Sequence, residues 1–191
     1  MEVKQKGKIV QFDTDEHPRL TPLEKLATLN PTFKKGGTVT AGNASGINDG
    51  AGCIVLANEA SVKKNGLKPL ARLAAFSYVG VEPKFMGIGP VPAIEWVMKV
   101  GGVSKNDIGI VDINEAFATQ FMACSKALDL DVETTKVCGG AVAIGHPLAA
   151  SGTRITSHLT HALQRQENLR YGIGSACIGG GQGIAVLLER V

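Results

Sequence analysis

The stretch Cys177-Ile178-Gly179-Gly180-Gly181-Gln182-Gly183 decides how the rest of the chain is read. An apolar run precedes it and another, Ile184 to Leu188, follows it. Glycine weakens regular elements and is used where backbone must approach something closely. A loop of this kind can aim several N–H groups at one point beside a thiol. That suits chemistry on a carbonyl, with a nucleophile or proton carrier next to oxyanion donors. A plainer reading fits the stretch equally well: a glycine-rich hairpin with a structural cysteine, since a lone Cys often serves as a small hydrophobe.

Working outward, two more loops share this character. Asn114 ends the run Ile108 to Ile113. His146 lies in Gly139-Gly140-Ala141-Val142-Ala143-Ile144-Gly145-His146-Pro147, where Pro147 biases it out of helical geometry. The periodicities predict strands over 70–79, 108–113, 135–138, 171–178 and 183–189. They predict helices over 90–100, 115–130 and 151–165, the second with Phe117, Phe121, Cys124 and Leu128 on one face. The order βαβαβαββ predicts an α/β fold with a mixed five-stranded sheet and helices on both faces. Asn114, His146 and Cys177 then fall at outgoing strand ends, the edge where open α/β sheets bind ligands. Taken singly, Asn114 fits a helix N-cap and His146 a structural histidine. Together they offer a thiol, an imidazole that can move its proton and a neutral donor.

Upstream the chain is less regular. Val3 to Phe12 predicts a small hairpin, and Thr21-Pro22-Leu23-Glu24 a capping box opening a short helix to Leu29. Small and polar residues fill 38–52, leaving room for a ligand against backbone. Cys53 to Ala57 predicts a buried strand. Asn58 predicts the cap of a helix ending at Gly66. No internal repeat is visible.

Bulk properties exclude several classes. The 191 residues are 44% hydrophobic and 19% charged, with a net charge of +3. These values describe a soluble globular protein without the basic blocks of a nucleic-acid binder and without a membrane span. Four cysteines with no CxxC pair support neither zinc nor a disulfide framework. His158 and His161 stand one helical turn apart without a carboxylate beside them, so they read as surface residues and no metal is expected. His17 reads as a loop residue. No targeting segment is seen at Met1.

Asn114-Glu115-Ala116-Phe117-Ala118, the 139–147 loop and Cys177-Ile178-Gly179-Gly180-Gly181 resemble the three carboxy-terminal motifs of the thiolase family. Gly37 to Gly46 and Met86-Gly87-Ile88-Gly89-Pro90 are similar to two further thiolase stretches. The resemblance covers essentially the whole chain. It leans toward the mitochondrial branch acting on 3-ketoacyl-CoA, with the acetoacetyl-CoA branch next. It implies a thiolase fold and acyl transfer between a 3-ketoacyl-CoA and CoA, as in fatty-acid β-oxidation. His146 would activate a nucleophilic Cys, and Cys177 would move a proton. His146 and a water held by Asn114 would form one oxyanion hole, and the N–H of Gly179 would serve another. Ser45 would contact CoA, while Met86, Ala116 and Phe117 would line the substrate site. Coenzyme A is then a substrate, and no cofactor is expected.

The family's nucleophilic Cys lies in an amino-terminal half, and none of Cys53, Cys124 or Cys138 stands in its motif; Cys138 replaces the family's usual Asn. By resemblance, 1–45 is a remnant of the loop domain, 46–66 the last strand and helix of the amino-terminal core domain, and 67–191 a complete carboxy-terminal domain. The expected partners are CoA, acyl-CoA, the missing amino-terminal half and further copies of the chain. Neither nucleic acid nor membrane is expected, and the location is mitochondrial by resemblance or otherwise cytoplasmic. The chain alone is expected to be inactive. The alternative is a non-catalytic module that binds CoA or self-associates. A ketoacyl-synthase-like enzyme is discounted, because that family has a second His where this chain has Cys177.

Overall fold

A computed structural model describes residues 1–131, 135 and 138–191. Its centre is a four-stranded mixed sheet in the order β3-β6-β5-β4. The strands are β3 (Ala71–Gly80), β4 (Ile108–Ile113), β5 (Tyr171–Ile178) and β6 (Gln182–Arg190). β4 and β5 pair in parallel, while β6 runs antiparallel to both β5 and β3. β3, β4 and β5 therefore share one direction. The fifth strand expected over 135–138 is represented by Thr135, which bridges Val111 in parallel at the outer edge. Residues 136 and 137 lie outside the described residues, and Cys138 is an exposed turn residue beyond any strand.

Alternation along the strands sends side chains to two cores. On one face Ile113, Val111, Ile173, Ala185 and Leu187 pack with Ala93, Ile94 and Val97 of α3 (Pro90–Gly101) and with Cys124 and Leu128 of α4 (Ala118–Leu128). On the other, Ile110, Leu169 and Leu188 meet Ile155, Leu159, Ala162 and Leu163 of α6 (Ser151–Arg165). Gly172 and Gly174 of β5 face α6. A Cβ on Gly174 would stand 2.7 Å from Ile155 and 3.0 Å from Leu159, so α6 lies closer to the sheet than a substituted strand would allow.

Several expectations are met. Residues 2–5 and 8–11 form the hairpin (β1, Glu2–Gln5; β2, Lys8–Gln11), turned through Lys6 and Gly7 at φ +49° and +82°. That geometry matches the favoured two-residue hairpin turn. Asn58 caps α2 (Glu59–Asn65) by accepting from the Ser61 amide, and Gly66 ends it in the left-handed region.

Others are corrected. In α1 (Leu23–Ala27) the extended Pro22 occupies the cap position itself, so Thr21 caps nothing. α4 begins at Ala118 rather than Glu115. Residues 44–45 pair with 116–117 through an Ala44/Phe117 bridge and a Ser45 N–H to Ala116 carbonyl bond, holding 115–117 extended. Cys53 to Ala57 is neither a strand nor buried; Val55 and Leu56 stand exposed. A strand needs a neighbour to take its hydrogen bonds, and none lies beside this one among the described residues.

Candidate active site

The shared direction of β3, β4 and β5 brings their outgoing ends to one sheet edge. Asn114 follows β4 directly and is 1% exposed; its backbone N–H donates to the Ser175 carbonyl at 2.8 Å. Cys177 lies on β5 opposite Gly183 of β6. The chain leaving β3 crosses this turn, where the Val81 N–H donates to the Gly181 carbonyl at 2.8 Å. It continues through a 3₁₀ segment, Pro83–Ile88, into α3. Gly180 and Gly181 take φ of +85° and +86°, the left-handed geometry the tight turn requires.

His146 reaches this edge from a loop after the short helix α5 (Ala141–Ile144). Its N–H donates to the Gly46 carbonyl at 2.9 Å and approaches Asn48 Oδ1 at 3.2 Å, and Ile47 and His146 form a parallel bridge. Gly145 takes φ +93°, and a Cβ there would stand 2.2 Å from Asn48 Oδ1. The loop is also tied to Asn114's neighbour: the Val142 N–H donates to Glu115 Oε2 at 3.0 Å. The imidazole is thereby fixed, with Nδ1 2.6 Å from Ser151 Oγ and Nε2 3.5 Å from Asn114 Nδ2.

Electrostatics favour a neutral imidazole. Partial burial first, and then the nearby Arg154 charge, hold the His146 pKa below the ordinary histidine range. Arg154 is in turn held by Asp112, a fully buried carboxylate of β4, at 3.2 Å. His158 Nδ1 lies 2.9 Å from the same carboxylate oxygen. His158 therefore supports the sheet rather than standing on the surface as expected, while His161 is exposed. No group of three or more His, Cys, Asp or Glu side chains could hold a metal ion among the described residues.

The thiols differ sharply. Burial pushes the Cys177 thiol up, so it carries its proton at neutral pH. Cys124 is fully buried and pushed up to about 11 by that burial; its Sγ donates to the Gly87 carbonyl at 3.3 Å. Cys53 and Cys138 are exposed.

The structure thus brings His146 and Asn114 into facing positions and places Cys177 on the same edge. Among the described residues, no hydrogen bond joins Cys177 to either. Gly179 is uncrowded, with nothing within 4 Å of the position a Cβ would take. Ser45 Oγ donates to the Ala116 carbonyl at 3.0 Å. Phe117 is half-buried and meets the Phe33 ring edge-on at 5.7 Å. Met86 is half-buried in the 3₁₀ segment, next to an open pocket of about 510 Å³ lined by Val81, Phe85, Ile88, Gln120 and Ala123. Sequence reasoning did not find Ser151, Asn48 or Glu115. The spacing of Ser151, four residues after Pro147 at the start of a helix, was the available signal.

A mixed-sheet α/β domain carrying an imidazole, a carboxamide and a thiol at its carboxyl edge is the class these observations define. Residues 67–190 match the thiolase C-terminal domain and residues 1–60 the thiolase N-terminal domain. The chain belongs to the thiolase family. It is 54% identical over 190 residues to the mitochondrial 3-ketoacyl-CoA thiolase of Bos taurus, covering 99% of this chain and 48% of that protein. The crystal structure of the Bacillus anthracis acetyl-CoA acetyltransferase superposes with a TM-score of 0.91 at 49% identity, covering 100% of this chain and 48% of the other. The human mitochondrial 3-ketoacyl-CoA thiolase in complex with CoA superposes at 0.86 and 48% identity, covering 96% and 46%. The chain spans about half the length of these relatives.

Proposed function

We propose that this chain supplies the carboxy-terminal half of a 3-ketoacyl-CoA thiolase active site. The observation that carries the reading is the His146 imidazole, depressed in pKa and held between Ser151 and Asn114 at the edge that also bears Cys177. In the proposed reaction, His146 takes the proton of a nucleophilic cysteine supplied by an amino-terminal half. The thiolate adds to the 3-keto carbon, and the bond between C2 and C3 breaks. Cys177, which holds its proton at neutral pH, protonates the departing acetyl-CoA enolate. The CoA thiol then gives its proton to the Cys177 thiolate and attacks the acyl-enzyme thioester, releasing the shortened acyl-CoA. Asn114, through a water, and the Gly179 N–H would stabilise the two oxyanions. Ser45 would meet CoA, and Met86, Ala116 and Phe117 the acyl portion. CoA is a substrate here and no cofactor is required. β-Oxidation in mitochondria is the proposed setting, by likeness to the bovine and human relatives.

We take 1–45 as the end of a loop domain, 46–66 as the last part of an amino-terminal core domain and 67–191 as the carboxy-terminal domain. Val55 and Leu56, 87% and 77% exposed, and Phe76 and Tyr78 on β3, also exposed, are apolar side chains of the kind a partner covers. That partner would be the amino-terminal half, with further association into an oligomer.

The test is complementation. The chain alone, given acetoacetyl-CoA and CoA, should not deplete the enolate absorbance. Addition of a separately produced amino-terminal half of a mitochondrial thiolase should start turnover, and His146→Asn should remove it. A stable, well-folded assembly without turnover would overturn the reading. The exposed apolar surface also favours a non-catalytic module; calorimetric CoA binding without turnover in any assembly would establish it.

A further inference from the structure

We propose that Ser151 is a positioning residue that fixes His146 in the tautomer with the proton on Nδ1, leaving the Nε2 lone pair free at the sheet edge. Ser151 is the first residue of α6 and is 3% exposed. Its Oγ lies 2.6 Å from His146 Nδ1 and 3.1 Å from the Pro147 carbonyl, four residues before it. A serine hydroxyl has one proton. Back-bonding to the carbonyl four residues earlier is an established use of a Ser hydroxyl proton at a helix, and the Oγ to Pro147 carbonyl geometry fits it. With the proton directed there, Oγ can only accept from the imidazole, and Nδ1 must be the donor.

The far side of the ring agrees independently. Asn114 directs Nδ2, a donor, toward Nε2 at 3.5 Å, an orientation that suits a bare Nε2. Asn114 is held by its own backbone bond to Ser175, so ring and amide sit on fixed supports from β4 and α6. A bare Nε2 can accept a proton without prior rearrangement, the state a general base needs. The reverse arrangement would have the hydroxyl proton on Nδ1, an N–H at Nε2 and the Asn114 amide turned over. The Pro147 carbonyl also receives the Ala150 and Ser151 amides, so this arrangement is the one to be excluded by experiment. The inference rests on His146 acting as the base in the function proposed above, but it can be tested without turnover.

The test is long-range ¹H–¹⁵N correlation of the ¹⁵N-labelled chain at a pH where His146 is neutral, with its signals assigned by their loss in His146→Asn. The expected wild-type pattern is a protonated Nδ1 and a bare Nε2. Ser151→Ala should lose that pattern, moving the proton toward Nε2, and Ser151→Thr should retain it. An Nε2–H pattern in the wild type overturns the inference, even if Ser151→Ala fails to fold. An unchanged pattern in a folded Ser151→Ala also overturns it. If the tautomer responds as expected but the complemented enzyme never turns over, the function reading fails and the Ser151 assignment stands.

Discussion

Gly183→Ala should destabilise the protein by the upper part of the overpacking range. A Cβ at Gly183 would stand 1.9 Å from the Gly89 carbonyl oxygen and 2.3 Å from its carbon. Ordinary contact begins at 3.4 Å, so the methyl is about 1.5 Å too close. Both obstructing atoms are backbone at the start of α3 and cannot swing aside. Overpacking costs about 1–3 kcal/mol and more where nothing relaxes. We expect about 3 kcal/mol, or roughly 6–12 °C in Tm for a chain of this length. Gly183 is also the register partner of Cys177, so the strand bearing the thiol must shift with it. Gly179→Ala is the control: φ there is not positive, open space surrounds the site, and its Tm should fall within about 2 °C of wild type. Differential scanning calorimetry measures both variants, and the rate of Cys177 alkylation reports the strand shift. A Gly183→Ala protein that melts with the wild type would refute the close approach of the two backbones.

The remaining predictions concern ionisation and access. Cys53 and Cys138 should react with iodoacetamide first, Cys177 slowly and Cys124 only on unfolding, because burial protects the last and pushes its pKa up to about 11; peptide mass mapping checks the order, and early labelling of Cys124 would contradict it. The folded-state pKa of His146 lies below the ordinary value of about 6.5, so the unfolded chain takes up that proton first as the pH falls. This contribution to stability is complete above the unfolded pKa and is lost as the pH drops from about 6.5 toward and below the folded pKa. Urea midpoints compared at high and low pH should therefore fall less in His146→Asn than in the wild type. Equal falls would count against the shift.

How much of this was legible in the sequence depends on where each signal resides. The α6 boundaries, the Gly66 helix end and the strands around Cys177 rest on local patterns, and the structure reproduces them closely. The start of α4 was misplaced because residues 44–45, some seventy positions earlier, occupy the backbone of 116–117. Cys53 to Ala57 has the composition of a strand, but composition does not supply a neighbour. His158 looked solvated on a polar stretch of helix, yet the carboxylate that holds it comes from β4. The convergence of Asn114, His146 and Cys177 on one edge was legible because strand ends can be placed from periodicity. Ser151 was not, because its role depends on a hydrogen bond rather than on a motif residue.

The bonds from Gly46 and Asn48 to the His146 backbone have a practical consequence for anyone dissecting this chain. The obvious place to cut is near residue 67, where the carboxy-terminal family match begins. That excision would discard the clasp on the histidine loop while leaving Asn114, His146 and Cys177 in place. Such a domain would keep its sheet and helices and still let the imidazole wander, so a truncated piece that fails to complement an amino-terminal half would say little about the intact chain.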